Sequence, residues 1–403
     1  MNARDFTIQP QWGRDLDRVQ QRSLAVGIVA LLLCILGAMF RPDQFFRSYL
    51  FSYLFYIGLT LGSMAVAMLQ YLSGGSWGIV IRRITESATR TIPLLVLLFI
   101  PVLVGIPRLY SWAHADIVAA DPILRHKQIY LNVPFFIVRA VIYFAGWLIF
   151  AYFLNKWSHE QDSTGRDPRG RRLQLLSGPG LVFYGLSVTF AAVDWVMSLD
   201  PHWFSTIFGL LVIAGQGLSA LSFTIALLVI LSADGGPLAG VIGPRHFHDI
   251  GKLLLTFTML WAYFSYSQLL IIWSGNLADE IPWYLTRLNG GWQWIGILLV
   301  MFHFALPFAL LLSRSLKRRS RTIVRIAALI IVMRFVDLFW LVEPAPTKSA
   351  LWVDWMDILA PVGIGGLWLA MFLFQLKKWP LLPVRDPHLE EAIAHGGAGE
   401  SAH

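Results

Sequence analysis

Apolar residues gather along this chain into ten runs separated by polar connections, at about residues 23–40, 49–72, 92–106, 134–154, 179–198, 206–231, 251–273, 292–312, 323–341 and 359–376. An α-helix rises about 1.5 Å per residue, so runs of this length predict helices that cross a hydrocarbon layer ~30 Å thick. The third run is short for a span and holds Pro101. The pattern predicts an all-α, polytopic membrane protein: one integral membrane domain over 1–403, with a polar segment over 1–22, ten spans over 23–376 and a mobile polar tail over 377–403. Residues 76–90, SWGIVIRRITESATR, read as a short surface helix in which Glu86 and Arg90 pair at i,i+4.

Composition agrees with that solvent. With 56% hydrophobic and only 14% charged residues, a water-soluble globule would expose large apolar patches. The net charge of +8 could suggest nucleic acid, but its placement argues against that partner. About 22 of the 32 Lys and Arg fall in the N-terminal segment, the even-numbered connections and the tail, against about 7 in the odd connections. By the positive-inside rule both termini face the cytoplasm, and the basic stretches Arg166–Arg172 and Arg314–Arg321 meet anionic lipid headgroups. The first run follows Arg4, Arg14, Arg18 and Arg22 and lacks a small-residue cleavage site, so it is expected to stay as an anchor. The single cysteine, Cys34, reads as a packing residue and leaves no disulfide, Cys-ligated cluster or covalent haem within the chain. Only His303 of the ten histidines sits well inside a run, which argues against a bis-histidine haem, so any electron carrier is expected on a partner.

Candidate chemistry lies in the few ionisable residues at membrane depth, which are costly there unless paired or wetted. In the fifth run Ser187, Ala191, Asp194 and Ser198 share a face, continued by Asp200 and His202 at the outer rim. Arg139 near the start of the fourth run, and Arg334 with Asp337 near the end of the ninth, complete an outer group, with Glu343 just beyond. Arg334 and Asp337 are three apart and can pair within their helix. An inner group lies in GPRHFHDIGK, where His248 and Asp249 could collect protons with Lys252 nearby, or Asp249 could simply cap the seventh span. Metal binding by His246, His248 and Asp249 lacks a further ligand motif. His303 could bridge the two groups or be a packing residue. In the second run Tyr49, Ser52, Tyr56, Thr60, Ser63 and Gln70 form a polar seam that serves either interhelical hydrogen bonding or a hydrated proton path. Ten of 17 tryptophans, namely Trp112, Trp195, Trp203, Trp273, Trp283, Trp292, Trp294, Trp340, Trp352 and Trp355, lie on or beside outer connections, as an aromatic belt or a docking surface would place them. No phosphate-binding glycine loop, zinc-protease motif or nucleophile elbow occurs in a fitting setting.

Three segments resemble the F subunit of alternative complex III, a bacterial quinol:cytochrome c oxidoreductase: AVDWVMSLDPHWFST at 192–206, GPRHFHDIGKLLLTFTMLWAYFSYSQLLIIWSGNLADEIPWYLTR at 243–287, and GGWQWIGILLVMFHFALPFALLLSRSLKR at 290–318. The resemblance implies a fold related to NrfD and polysulfide-reductase membrane subunits, with four-helix bundles from spans two to five and six to nine and one helix outside each. It implies a multi-pass subunit of the bacterial inner membrane without cofactors of its own. Quinol or menaquinol, haem c and iron–sulfur clusters would belong to partner subunits, foremost the paralogous quinol-binding C subunit, with lipids and a terminal oxidase as further neighbours. A proton-conducting role is implied too. Two other readings stay open: an NrfD-type quinol-binding subunit using Asp194 and His202, and a stand-alone secondary transporter, hinted at by Pro101 and Pro307.

Overall fold

A computed structural model describes residues 6–165, 170–347 and 350–397, and among these every regular element is helical. The long helices are α1 (Pro10–Ala38), α2 (Pro42–Ser73), α3 (Arg82–Val104), α4 (Val133–Thr164), α5 (Arg171–Trp195), α6 (Phe208–Leu231), α7 (Pro244–Gly275), α8 (Trp292–Leu312), α9 (Ser320–Val342) and α10 (Met356–Leu376), followed by a short α11 (Leu389–Gly397). Nine of them, all but α9 and α11, are long and apolar enough to cross a membrane, which makes this a multi-pass membrane protein. α9 matches their length but carries Arg321, Arg325, Arg334 and Asp337.

Burial sorts the helices. In α2 83% of the apolar window is covered by protein, against 22% in α1, α7 and α8, so α2 is central and those three form the periphery. Small residues let α2 sit there. A Cβ on Gly62 would collide with the Gln216 carbonyl of α6, so only glycine permits that crossing. α1 and α10 cross in the same way, with a Cβ on Gly27 falling 2.8 Å from the Leu367 amide. Their antiparallel pairing brings the first and last described segments together, where Lys377 pairs with Asp17 and the Leu381 amide donates to the Phe6 carbonyl at 2.9 Å.

The third span departs from expectation. It begins ten residues earlier, at Arg82, and the stretch read as a surface helix is its buried first part. Glu86 does not pair with Arg90; it accepts from Arg83, and Arg90 instead donates to Asn155 at 2.8 Å. Mutual neutralisation lets these charges enter the bundle. Pro93, Pro101 and Pro107 divide the chain beyond Arg90 into short helical turns, and Tyr49 and Tyr53 of α2 donate to the Leu98 and Leu95 carbonyls at 2.7 and 3.1 Å. The polar seam of α2 thus spends much of its capacity on interhelical bonds: Tyr56 donates to the Pro361 carbonyl at 3.0 Å, and Thr60 meets Thr91 at 3.0 Å.

The tail packs against the helices rather than standing apart from them. It is docked on the helices as far as Gly397, with Ala392 fully buried, while residues 398–403 and 166–169 of the basic fourth connection lie outside the described residues. Trp112, Trp195, Trp203, Trp283 and Trp292 are core residues, neither belt nor docking surface, whereas Trp273, Trp294, Trp352 and Trp355 are exposed.

Candidate functional site

Asp194 ends α5, where the helix stops at Trp195, and is completely buried. Arg139 and Tyr143 lie one turn apart on α4 and face it together. The Arg139 Nε and the Tyr143 hydroxyl both donate to Asp194 Oδ2, at 2.8 and 2.9 Å. The guanidinium also donates to the Tyr130 carbonyl at 2.9 Å and stacks 3.9 Å from the Tyr130 ring. These bonds meet part of the hydrogen-bonding capacity a buried ion pair needs away from water; Asp194 Oδ1 and Arg139 Nη2 have no partner among the described residues.

The second group joins α7, α8 and α9. Arg334 pairs with Asp337 three residues on, and Trp261 Nε1 donates to the same carboxylate at 3.2 Å. Gly215 of α6 makes room for the guanidinium, since a Cβ there would strike it. His303 stands edge-on to Trp261 with ring centres 4.3 Å apart, is fully buried, and has no hydrogen-bond partner at either ring nitrogen among the described residues. It sits in a π-helical stretch, Leu299–Ala305, a local widening that occurs often at functional sites. Among the helices that carry the two groups lies a cavity of about 30 Å³ lined by Gly58, Trp147, Ala191, Trp195, Gln216 and Arg334. That is room for roughly two water molecules.

The sequence-derived outer group is therefore split. Arg139 with Asp194 forms one cluster and Arg334 with Asp337 and His303 another, of which Arg334 lines the cavity, while His202 lies apart at the rim. There its Nε2 is 2.5 Å from Asp121 Oδ2, in an open groove lined by Asp116, Ile117, Pro122 and Ile123. The bond from His202, helped by the Leu124 and Ile123 amides, holds the Asp121 carboxyl below its ordinary value.

The inner group is redrawn. Gly243, not Asp249, caps α7. Asp249 lies in the second turn and binds Lys252 at 3.0 Å and His395 of the tail at 2.9 Å. His246 turns to the Ala392 carbonyl at 2.9 Å, so His246, His248 and Asp249 do not converge on a shared point as a metal site requires. α7 is 32 residues long, or about 48 Å, so its first turns project beyond the hydrocarbon toward the docked tail.

Two buried carboxylate clusters were not assembled by the sequence reading, which placed Glu86 on a surface helix and Glu343 at the outer rim. Glu86 accepts from Tyr71 at 2.8 Å, Ser158 at 2.5 Å and Arg83 at 2.5 Å, and Arg83 also pairs with Asp162. At the opposite end Glu343, Asp357 and Asp354 gather with Gln44, Ser48, Arg41 and Arg47. Gln44 donates to Glu343 at 3.3 Å and to Asp357 at 3.0 Å, and Arg47 lies 3.4 Å from Glu343. Burial, and then the neighbouring Asp357 charge, push the Glu343 carboxyl up to about 8. The one signal for Glu86 was the apparent shortness of the third run, with charges just ahead of it. Glu343 and Asp357 lie some 300 residues from Gln44, and no local pattern announces that meeting.

No known family model and no curated protein matches this chain.

Proposed function

We propose that this chain is an integral membrane subunit, free of cofactors of its own, of a bacterial quinol:cytochrome c oxidoreductase of the alternative complex III type. It sits in the inner membrane with both chain ends in the cytoplasm, where it supports assembly and carries protons through polar half-channels. In this reading α2–α5 and α6–α9 are the two four-helix bundles, and the cavity lies where they meet. The segment resemblance at 192–206, 243–287 and 290–318 supports the assignment. The observation that carries the proton role is the burial of two carboxylate–guanidinium groups, Asp194 with Arg139 and Asp337 with Arg334, near a cavity of water size that Arg334 and Trp195, the residue after Asp194, help to line. Charges at that depth are maintained at a cost and belong to ion or proton routes by default. His303, with both nitrogens unpartnered beside the second group, fits a station between the two halves. Native purification tests the assignment: haem-bearing and iron–sulfur subunits are expected to co-purify, whereas a haem-free homogeneous protein would favour the transporter reading.

The quinol-binding reading draws on a different observation. His202 hydrogen-bonded to Asp121 in an open, partly apolar groove could accept protons from a quinol ring. Asp194 is no part of that groove, so photoaffinity labelling by a quinone analogue near Ile117 and Ile123 would favour it.

A further inference from the structure

At the end of the molecule where the first and last described segments meet, a cavity of about 320 Å³ lies between the end of α2, the turn after it, the ends of α4 and α5, and the docked tail. Its walls include Gln70, Tyr71, Arg82, Gln161, Asp386 and Glu391. Three observations mark it as more than a packing gap. Gln70 is only 5% exposed, yet its side-chain oxygen has no hydrogen-bond partner among the described residues. Such an atom costs about 1–3 kcal/mol unless water or a ligand satisfies it. The floor is Tyr71, whose hydroxyl donates to the buried Glu86. The roof is the tail, held by an ion pair of 2.8 Å between Asp386 and Arg82, both side chains only 6% exposed.

Hydrogen-bonding groups continue inward from Glu86. Ser158 donates to it, one turn further on Asn155 donates to Thr89 at 2.8 Å and accepts from Arg90 at 2.8 Å, and beyond them Thr91 meets Thr60. Hydroxyls both donate and accept, so Ser158, Thr89, Thr91 and Thr60 can hand a proton along where water bridges them. The charges near Glu86 balance: Arg82, Arg83 and Arg90 face Glu86, Asp162 and Asp386, leaving no net negative charge to hold a metal cation. His159, His388 and Glu391 are the other titratable side chains close by, with His388 3.4 Å from Glu391.

We propose that this cavity is a water-filled vestibule through which protons reach Glu86, and that the Arg82–Asp386 ion pair holds the tail across its mouth. The use made of the vestibule rests on the proton-conducting reading; its hydration does not. The site takes the place proposed for the His248–Asp249 turn as the inner intake, since Asp249 there is held by Lys252 and His395.

The native cysteine, Cys34, is fully buried, which gives a silent background for thiol labelling. In the natively purified complex, Gln70→Cys is expected to react with a membrane-impermeant methanethiosulfonate while Cys34 does not, and Asp386→Asn is expected to speed that reaction several-fold. If Gln70→Cys does not fold, Ser76→Cys at the same cavity gives the same readout. A thiol as inert as Cys34 with and without Asp386→Asn overturns the vestibule. Proton uptake at matched turnover then tests Glu86: Glu86→Gln, or Ser158→Ala with the charges intact, is expected to lower it about tenfold. Labelling without that loss overturns the proton assignment here. If uptake is equally untouched by Asp194→Asn, the wider proton-conducting reading has failed instead.

Discussion

At the scale of single residues, the molecule keeps its charges inside by pairing them. Removing one partner strands the other: Asp194→Asn leaves Arg139 buried without its counter-charge, at a cost of about 3–5 kcal/mol. Thermal unfolding in detergent should show that loss, and Arg139→Gln added to Asp194→Asn should recover much of it. Glu343 gives a pH signature with a definite sign. Its carboxyl is raised from 4.5 to about 8 in the fold, so the folded state favours the protonated form. The stability it contributes is complete at acid pH and is lost as pH rises through that window. Unfolding temperature should therefore fall between about pH 4.5 and about pH 8, and the fall should be shallower in Glu343→Gln; an identical slope in the two proteins would contradict the assignment. Some of these residues were legible in the sequence and others were not. Arg334 and Asp337 pair because they are three apart on one helix, which the sequence states directly. Asp194 was visible as a charge in an apolar run and Arg139 as one candidate neighbour across the bundle, but 55 residues separate them and no local pattern chooses Arg139 over Arg334. Glu86 was discounted because hydropathy cannot know that Arg83 and Ser158 will meet it.

At the scale of elements, glycine decides which helices touch. Gly27→Val would press a branched side chain onto the Leu367 amide and the Gly363 carbonyl, 2.8 and 2.9 Å from the added Cβ, and should destabilise the α1–α10 pair by about 1–3 kcal/mol. Faster proteolytic clipping of the N-terminal segment in detergent would report it; wild-type resistance would show that the two helices can part harmlessly. The end of α9 depends on another element. Arg287 is 1% exposed, stacks 3.6 Å from Trp283, and donates to the Leu341 and Trp340 carbonyls at 2.8 and 3.2 Å, satisfying the last turn of that helix. Periodicity located nearly every span because apolar length is a local property. It misjudged the start of α3 and gave no sign of the tail's docking because both depend on contacts across the chain: Arg83 with Asp162, Arg82 with Asp386, and His246 with the Ala392 carbonyl. The π-helical stretch around His303 carries no cue in LVMFHFA that sets it apart from the α-helix on either side.

For the whole molecule, the basic residues crowd the connections at the end where the first and last described segments meet, and this asymmetry fixes an expected orientation. A fluorescent protein fused after the tail should mature and fluoresce, while alkaline phosphatase at the same point should stay inactive; the reverse pattern would invert the molecule. The proton-conducting role proposed for this chain turns on whether the two buried carboxylate–guanidinium groups move protons. The measurement closest to that question is proton uptake by the natively purified complex in liposomes, compared at equal electron turnover for wild type, Asp194→Asn and Asp337→Asn. Electron transfer is expected to continue while uptake falls in both variants. Undiminished uptake in both, at wild-type turnover, would contradict proton conduction and leave those pairs as braces of the fold alone.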